Sequence, residues 1–568
     1  MKKFEAIVIG SGFGGGITAC RLSKKWPGQV MVIERGKRYP LGSFPRKPKD
    51  ISENFFNLPD EKVKRPDHVP QGVMTGMYDV RSFEHMDVVT GAGLGGGSLI
   101  YANVFMEPPE EIFDERWAPN IKRQALEPYY RAAKAVLGSR PIPEDSDPRR
   151  KVIRTEYFKK TAEAMGRESE LVDLNVFFGN DLEKPTPIGE QELNRFGKLQ
   201  TSCTYCAECC MGCNYQSKNS VDMNYLHVAE TKYNAEILLE HKAVKFIPID
   251  ENGRESVEAS GEHGFIVHVR DLKSFKTKVF QCNRLILAAG TLGTNELLLR
   301  AKYEFKTMPR ISSHLGEGFS GNGDFLSFVG ESSEPADPNY GPVITQRVDY
   351  NLFKNFDKDR AFILEDASYP SLLAWFAEGQ KPFVFKVSAI RDTIRGYWHR
   401  FLGHRNLTKV ASLLHRFLRH DISWNTSIHL CMGLDKSNGK VSLDRQSRLD
   451  LNWPQKDSMS LYEAILDSVD SFKKKVRAKF WFPLPTWHLK RNITVHPLGG
   501  AALGENPNKA VTKVDDSHFG ELHNYQNIYV ADGALFPSAV GANPSATISA
   551  LAEKVSHGIT GEQPSTDL

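Results

Sequence analysis

The N-terminal residues carry the feature that most restricts the fold of this chain: a strand, a glycine-rich turn and a helix in direct succession. An apolar run over residues 4–9 has the length of a strand and leads into Gly10-x-Gly12-x-x-Gly15, which opens an amphipathic segment. In this pattern the first glycine makes a tight turn, the second lets backbone amides approach a pyrophosphate, and the third lets the helix pack on the strand. The segment therefore predicts a dinucleotide-binding unit with the phosphates at the helix N-terminus.

A carboxylate follows the next predicted strand. Residues 30–33 are apolar and end at Glu34, the place where a dinucleotide-binding unit carries an acid about 20 residues after its glycines. This carboxylate would accept hydrogen bonds from ribose hydroxyls and would repel a 2'-phosphate. NADP is therefore disfavoured, and both FAD and NAD remain compatible with this residue.

Composition and charge exclude several classes of protein. The 568 residues are 40% apolar and 25% charged, as in ordinary globular proteins, and a net charge of +4 is too small to indicate a nucleic-acid partner. No apolar run approaches the roughly 20 residues that span a bilayer. Because the first residues lead directly into a core strand, we expect no signal peptide and a cytoplasmic location.

The remaining strand patterns predict two domains. Apolar segments near residues 237–244, 265–269 and 284–289 continue the first sheet, and the last of them ends at Gly290 before a second helix. Strand-like segments between residues 361 and 445 predict a separate sheet that covers the substrate. We therefore predict an α/β chain, α+β overall, with a doubly wound Rossmann-type domain and a substrate-binding domain on a mixed or antiparallel sheet.

Both predicted domains are discontinuous in sequence. The nucleotide-binding domain comprises residues 1–40, 86–110, 200–325 and 485–568. The substrate-binding domain comprises residues 41–85, 111–199 and 326–484, with an insertion over about 371–420.

The insertion contains a basic amphipathic segment. Residues 381–420 hold nine Lys or Arg, four His and a single acid, Asp392, interleaved with apolar residues at helical spacing. Such a segment is typical either of surface helices packed on the protein or of an element that lies on a membrane. Both interpretations stay open, and the second predicts peripheral attachment to the inner face of the membrane.

Near the C-terminus, His496 and Asn543 lie in turns fixed by glycine or proline. The three relevant segments are Val495-His496-Pro497-Leu498-Gly499-Gly500, Ala531-Asp532-Gly533 and Gly541-Ala542-Asn543-Pro544. A histidine before a proline is most often a turn or core residue, so a functional role for this pair requires a cofactor beside it. The N-terminal unit predicts that cofactor, and we expect contacts with it from Asp532, Gly533, Asn543 and Pro544.

Together these segments resemble the flavin-dependent glucose-methanol-choline (GMC) oxidoreductases, and within them the cholesterol oxidase-like branch. The motifs occur in the family's order along nearly the whole chain, which makes them far more specific together than alone. They are the N-terminal fingerprint, Gly95-Gly96-Gly97-Ser98-Leu99, Leu287-Ala288-Ala289-Gly290-Thr291, the run from Leu315 to Asp324, His496-Pro497-Leu498-Gly499-Gly500 and Gly541-Ala542-Asn543-Pro544.

The resemblance implies that the chain binds FAD and removes a hydride from an alcohol. It implies that His496 lies over the flavin and hydrogen-bonds the substrate hydroxyl, with Asn543 beside it as a neutral hydrogen-bond donor. It also implies a set of FAD contacts: Gly10, Gly12, Gly15 and Glu34 at the ADP moiety, Val244 at the adenine, Gly95, Gly96, Gly97 and Ser98 near the flavin with Asn103 and Gly290 close by, and Asp532 and Gly533 at the ribityl chain and pyrophosphate.

A third candidate catalytic residue is Glu365. In steroid-oxidising relatives a glutamate on a substrate-domain strand moves a proton during double-bond isomerisation, and the segment around Glu365 resembles that strand. The alternative, a surface carboxylate at the end of a strand, stays open, and the neighbouring Asp366 makes the register ambiguous. Sterol as the substrate is implied by the resemblance alone.

The glycine-rich segment over residues 91–103 departs from the family pattern. It lies between apolar residues, which favours a backbone packed against a planar ligand over a flexible linker. Where the classical cholesterol oxidases have Asn-Gly-Gly after the glycine motif, this chain has Tyr101-Ala102-Asn103. The flavin environment and its reactivity toward oxygen therefore do not follow from the resemblance.

Five of the eight cysteines lie within eleven residues. Cys203, Cys206, Cys209 and Cys213 have the C-x2-C-x2-C-x3-C spacing by which bacterial ferredoxins bind iron–sulfur clusters, although the usual proline after the fourth cysteine is absent. The spacing of Cys203, Cys209 and Cys213 also resembles the motif of iron–sulfur-containing glucose dehydrogenases, so a three-iron cluster competes with a four-iron one. Zinc and metal-free structural thiols are the alternatives, and zinc would prefer two separated C-x-x-C pairs.

The sequence supports two functional hypotheses. The first is an FAD-dependent oxidoreductase that acts on a small hydrophobic alcohol, with the electrons passed to oxygen or to another acceptor. The second is a non-catalytic flavin and iron–sulfur protein that relays electrons or attaches to a membrane. His496 and Asn543 favour the first.

Overall fold

The computed structural model of the chain describes residues 1–58, 74–144, 147–370 and 421–568. The predicted insertion over 371–420, with its basic segment 381–420, lies outside the described residues. The strands of the described residues are, in chain order, β1 (Lys2–Ile9), β2 (Val30–Ile33), β3 (Phe56–Asn57), β4 (Met74–Thr75), β5 (Tyr78–Ser82), β6 (Met86–Gly91), β7 (Ser169–Leu171), β8 (Gln191–Leu193), β9 (Leu199–Thr201), β10 (Glu236–Leu238), β11 (His241–Pro248), β12 (Phe265–Asp271), β13 (Thr277–Leu287), β14 (Glu317–Phe319), β15 (Phe325–Gly330), β16 (Gln346–Tyr350), β17 (Phe362–Ala367), β18 (Ser427–Gly433), β19 (Gly439–Leu443), β20 (Leu449–Asn452), β21 (Phe480–Pro483), β22 (Asn492–Thr494) and β23 (Ile528–Val530).

The α-helices of the same residues are, in chain order, α1 (Phe13–Lys25), α2 (Pro48–Ser52), α3 (Arg123–Leu137), α4 (Ile153–Ala164), α5 (Tyr225–Thr231), α6 (Gly290–Leu299), α7 (Asp421–Trp424), α8 (Met459–Lys475), α9 (Pro485–His488) and α10 (Ser545–Thr560). Within the described ranges, none of these helices combines the length and the apolar character needed to cross a membrane.

The larger sheet has the strand order β10-β2-β1-β13-β12-β11, with β23 also paired to β13. Its core strands β10, β2, β1, β13 and β23 are parallel, whereas β12 and β11 run antiparallel to their neighbours. Strand β1 lies at the centre and its residues Ala6, Ile7 and Val8 are fully buried. A strand covered on both faces needs a continuous apolar run, and the N-terminal sequence supplies it.

The register of this sheet brings four predicted cofactor segments to one edge. Ile9 pairs with both Ile33 and Leu287, and Leu287 pairs with Val530. Because these strands are parallel, the residues that follow them lie side by side at their carboxyl ends. The Gly10 turn, Glu34, the start of α6 and Asp532 therefore meet, as expected at the ligand-binding edge of a doubly wound sheet.

Glycines in α1 allow this helix to lie directly on the sheet. A Cβ atom on Gly14 would lie 1.7 Å from the carbonyl oxygen of Ala531, and one on Gly15 would lie 2.0 Å from the carbonyl oxygen of Gly10. Real Cβ atoms cannot approach backbone atoms so closely, so any side chain at either position would push α1 away from β1 and β23.

The second sheet is antiparallel, with the order β21-β15-β18-β17-β16-β7. Side chains alternate between its faces: the His429 ring on β18 packs against Phe158 of α4 and Phe472 of α8, while Ile428 and Leu430 face a large cavity. The predicted fold class, a Rossmann-type sheet with a second mixed or antiparallel sheet, is confirmed. The domain boundaries stay a prediction.

The close approach at Gly14 predicts a large effect of a single methyl group. Gly14→Ala should lower the free energy of unfolding of the ligand-free protein by about 1–3 kcal/mol, because the helix must shift to relieve the contact. Gly97→Ala is the matched control, since no atom lies within 4 Å of the position its Cβ would take. Chemical denaturation of both variants measures the difference, and equal stabilities would contradict the packing described for α1.

Candidate functional site

One cavity of about 1130 Å³ lies between the carboxyl edge of the larger sheet and the apolar face of the antiparallel sheet. Single-ligand pockets measure roughly 300–1,000 Å³, so this cavity has room for a large ligand and a second molecule beside it. Twelve of the predicted site residues line it: Gly10, Gly12, Glu34, Gly96, Gly97, Val244, Gly290, His496, Asp532, Gly533, Asn543 and Pro544.

Three helix N-termini face the cavity. The first residues of α1, α6 and α10, including Phe13, Gly290 and Ser545, all line it. Each of these helices is long enough to direct partial positive charge and unpaired backbone N–H groups toward a ligand. The cavity therefore favours a ligand that carries negative charge, such as a pyrophosphate.

Two glycines leave open space that a ligand could occupy. The Cβ positions of Gly97 and Gly290 have no protein atom within 4 Å, and both residues line the cavity. The nearest atom to the Cβ position of Gly12 is 3.9 Å away. These backbones are accessible to a flat or extended ligand at van der Waals distance.

Glu34 organises the loops at the nucleotide end of the cavity. Its carboxylate accepts hydrogen bonds from the hydroxyl of Ser11 at 2.6 Å and from the backbone N–H groups of Ser11, Gly36 and Gly93 at 3.1, 2.8 and 3.2 Å. It thereby ties the fingerprint turn to the glycine-rich segment. Contacts between Glu34 and ribose hydroxyls stay a prediction.

Asp532 occupies the neighbouring strand end. Its carboxylate accepts hydrogen bonds from the Thr294 hydroxyl at 2.6 Å and from the Ala534 N–H at 2.9 Å. Burial raises the pKa of Asp532 to about 6, and these hydrogen bonds oppose the rise. Through its hydrogen bonds to Thr294 and Ala534, the carboxyl group joins α6 to the C-terminal segment that carries the remaining site residues.

His496 is oriented by a buried carboxylate. Its Nδ1 lies 2.7 Å from Oδ1 of Asp324, whose other oxygen accepts hydrogen bonds from the Thr494 hydroxyl and from the backbone N–H groups of Val495 and His496 at 2.8–3.2 Å. Because a carboxylate only accepts hydrogen bonds, Nδ1 carries the proton. Nε2 is then the ring nitrogen that can accept a proton from a ligand.

Asn543 is held in place through its neighbours. The side chain of Asn322 accepts hydrogen bonds from the N–H groups of Val540 and Gly541, both at 3.0 Å, and donates one to the carbonyl of Ala542 at 2.9 Å. This fixes the turn that precedes Asn543. Its carboxamide nitrogen donates only the long hydrogen bond of 3.4 Å to Glu365, and its carboxamide oxygen is buried without a hydrogen-bond partner among the described residues.

One short turn supports both His496 and Asn543. Residues 320–324 contain Asn322 and Asp324, and Asp435 anchors the turn by accepting hydrogen bonds from the Ser320 hydroxyl at 2.7 Å and the Gly321 N–H at 2.8 Å. Sequence reasoning quoted this run only as part of a motif and gave these residues no role. The signal available was the polar Asn-Gly-Asp sequence directly before an apolar strand.

Glu365 lies behind Asn543. It is fully buried, does not line the cavity, and accepts a long hydrogen bond of 3.4 Å from the Asn543 amide. Burial raises its pKa well above the ordinary value, although the Asn543 hydrogen bond opposes the rise. Burial therefore favours the neutral, protonated form of this carboxyl group.

Four other predicted cofactor residues lie just outside the cavity lining. Gly15 allows α1 to pack on the Gly10 turn. Gly95 has a left-handed backbone (φ 114°), donates its N–H to the Ser11 hydroxyl, and accepts a hydrogen bond from the Ser98 hydroxyl. Asn103 is also left-handed (φ 71°) and fully buried. These residues shape the loops whose neighbours reach the cavity.

The four cysteines of the spaced motif lie together. Cys203, Cys206, Cys209 and Cys213 all line a second, small internal cavity, whereas Cys210 lines the large one. In the described part of the chain, no three His, Cys, Asp or Glu side chains are arranged to hold a single metal ion. The zinc interpretation therefore has no geometric support among those residues.

The wall opposite the nucleotide end is apolar. It is formed by strands of the antiparallel sheet, and aromatic side chains line the cavity near its rim, where Phe482 is 41% exposed. The apolar residues include Leu326, Phe328, Ile428, Leu430, Phe480, Phe482 and Leu484. A ligand in this part of the cavity would be bound chiefly by apolar contact.

Comparisons with known proteins find relatives along the whole chain. Two family models, both described as GMC oxidoreductase, match residues 193–314 and 435–552. A cholesterol oxidase of Acinetobacter baumannii is 28% identical over 97% of this chain and 93% of its own length. The long-chain-alcohol oxidase FAO1 of Arabidopsis thaliana is 24% identical over 98% of this chain and 66% of its own length.

Solved structures agree with this fold. A pyridoxine 4-oxidase from Mesorbium loti superposes with a TM-score of 0.59 at 14% identity, covering 98% of this chain and 99% of its own. A fungal aryl-alcohol oxidase superposes with a TM-score of 0.56 at 14% identity, covering 99% of both chains. At this level of identity the likeness concerns the fold.

The environment of Glu365 predicts a protonated carboxyl group. Because burial raises its pKa, the infrared difference spectrum between the wild-type protein and Glu365→Gln at pH 7 should contain the carbonyl band of a carboxylic acid. Carboxylate bands alone would contradict this description. Glu365→Gln should have nearly the thermal stability of the wild-type protein, because the amide occupies the same space as the protonated carboxyl group.

Proposed function

The chain belongs to the GMC oxidoreductase family, whose members are FAD-dependent enzymes that oxidise alcohols, and from this premise we propose its specific reaction. It removes a hydride from the CH–OH group of a hydrophobic alcohol of the sterol or long-chain class. The observation that carries the proposal is that His496, oriented by Asp324, and Asn543, which contacts Glu365 of the antiparallel sheet, line the same cavity.

The residues of the cavity fit FAD. Its volume exceeds that of ordinary single-ligand pockets, helix N-termini supply backbone N–H groups for a pyrophosphate, and Gly97 and Gly290 leave room against their backbones. The fingerprint residues Gly10 and Gly12, with Glu34 nearby, would hold the ADP half. Gly96 and Gly97 would lie against the flavin, and Asp532 and Gly533 beside the ribityl chain.

When bound, FAD supplies the acceptor for the hydride at the flavin ring. The part of His496 is to accept the hydroxyl proton at Nε2 as the C–H bond breaks, so that the alcohol leaves as a carbonyl compound. The imidazole thereby gains a positive charge, and the carboxylate of Asp324 at 2.7 Å from Nδ1 stabilises it. Asp324 also fixes the tautomer that leaves Nε2 free to act as a base.

Asn543 acts without titrating. Its amide N–H would donate a hydrogen bond to the substrate oxygen in place of the long contact with Glu365, and the turn held by Asn322 fixes the backbone that precedes it. A neutral donor polarises the hydroxyl without competing for its proton.

Glu365 is a proposed proton carrier for a double-bond isomerisation after oxidation. Because its carboxyl group lies behind Asn543, this role requires the Asn543 side chain to rotate away. The final electron acceptor would be oxygen, as the names of the oxidase relatives suggest, or another acceptor. Membrane attachment through residues 381–420 stays a prediction.

Flavin reduction under anaerobic conditions tests the reaction. His496→Ala should bind FAD but slow its reduction by cholesterol or a long-chain alcohol by about 10²–10⁴-fold, because the base is lost. Asp324→Asn should also slow reduction, because its amide cannot stabilise the imidazolium. His518→Ala is the control, since this histidine is exposed and paired with Glu521 outside the cavity. Reduction of His496→Ala at the wild-type rate would refute the assignment.

The open space at Gly97 predicts a defect in cofactor binding. Gly97→Ala should have the stability of the wild-type protein yet retain several-fold less FAD. Its methyl group would take up cavity space that we assign to the flavin. FAD content and the dissociation constant are measured by flavin fluorescence. Wild-type FAD affinity in this variant would show that the flavin does not pack on this segment.

A further inference from the structure

The cysteine loop encloses a site of its own. Of its five cysteines, the four with C-x2-C-x2-C-x3-C spacing turn toward one internal cavity and Cys210 turns away from it. Left-handed backbone at Tyr205 and Ala207, both with φ 60°, reverses the chain between the first two cysteines and again after the second. Such conformations cost energy in residues with a Cβ. The loop conformation that groups the four thiols is therefore kept despite this backbone strain.

Backbone N–H groups are directed at two of these four thiols. The Tyr205 N–H points to Cys203 Sγ at 3.5 Å, and the Ser217 N–H points to Cys213 Sγ at 3.2 Å. Asn103 is fully buried beside Cys209, and neither polar atom of its carboxamide has a hydrogen-bond partner at normal distance among the described residues. N–H groups directed at sulfur favour negative charge there and set the potential of a bound cluster.

A buried cation lies at the same cavity. Lys218 lines it and donates hydrogen bonds to the backbone carbonyls of Cys209, Leu99 and Tyr101 at 3.1, 2.9 and 2.8 Å. Carbonyls solvate an ammonium but do not neutralise it; nearby groups that favour its charge include Asp222 and the cysteines Cys209 and Cys213. A thiolate-ligated cluster carries negative charge.

The loop also forms the wall of the large cavity. Cys209 faces the small cavity while its neighbour Cys210 faces the large one, and Tyr101, bound by Lys218, lines the large cavity too. Adjacent residues of one loop therefore line both cavities. A redox group in the small cavity would adjoin a ligand in the large one.

We propose that Cys203, Cys206, Cys209 and Cys213 bind one iron–sulfur cluster that receives electrons from the reduced flavin. The electron source in this inference rests on the proposed function. The cluster site itself is argued independently of that function. Each oxidation of an alcohol releases two electrons, and a cluster held by these cysteines would let them leave one at a time to an external one-electron acceptor. Two acceptor molecules are reduced for each alcohol, and two protons are released to solvent.

A polynuclear cluster suits this site better than a single ion. Each thiolate of a cluster binds a different iron, so the four sulfurs stand around the core and need not converge on one point. The small cavity holds about 10 Å³ of free space, so the thiols would have to move apart to admit a cluster. All five cysteines are free of disulfide bonds, which leaves the thiols available.

Iron and acid-labile sulfide measured on FAD-loaded protein, purified anaerobically and incubated with iron and sulfide, test the site. The wild-type protein and Cys210→Ser should hold at least three irons per chain, and Cys209→Ser should lose most of them while keeping its FAD. Neighbouring cysteines make these variants a matched pair. A wild-type protein without bound iron and sulfide, or equal iron in both variants, would overturn the proposal.

The electron path has a separate readout. Anaerobic addition of alcohol should reduce the flavin and then the cluster, detected by electron paramagnetic resonance. Cys206→Ser should keep the rate of flavin reduction but lose at least tenfold in the reduction of ferricyanide. A cluster that dithionite reduces but alcohol does not, in protein whose flavin is reduced normally, would overturn the electron path. Failure of the alcohol to reduce the flavin would instead refute the proposed function, and the iron analysis would still decide the site.

Discussion

The site depends on one turn, residues 320–324, which is itself held by the buried carboxylate of Asp435. From this turn Asp324 binds the imidazole of His496, and Asn322 binds the backbone in front of Asn543. The base and the neutral donor come from distant parts of the sequence, yet a single rigid segment sets both positions. Preorganisation of this kind is what lets two ordinary side chains act together on one hydroxyl group.

The sequence predicted the features that depend on local pattern. The glycine fingerprint identified the β1–α1 unit, because only glycine fits the close backbone contacts at Gly10 and Gly15. The parallel register of the strands explains why Glu34 and Asp532, which follow strand ends, lie at the same edge of the sheet. The family resemblance directed attention to His496 and Asn543, which the structure brings to one cavity. Their assignment as catalytic residues remains a proposal.

Features that arise from long-range packing could not be predicted in this way. Asp324 and Asn322 act through hydrogen bonds to residues more than 170 positions away, which no local periodicity encodes. The position of Glu365 behind Asn543 follows from the pairing of β17 with its neighbours. The separation of Cys210 from the other four cysteines of the loop likewise required knowledge of the backbone, because their spacing does not state which side each thiol faces.

The central claim is that His496 and Asn543 bind the same alcohol oxygen while Asp324 holds the imidazole. A crystal structure of the FAD-loaded protein, chemically reduced so that a bound alcohol cannot react, tests it directly. The hydroxyl oxygen should lie about 2.6–3.2 Å from both His496 Nε2 and the Asn543 amide nitrogen, with the contact between Nδ1 and Asp324 kept. A hydroxyl group bound elsewhere in the cavity, or an imidazole turned away from Asp324, would contradict it.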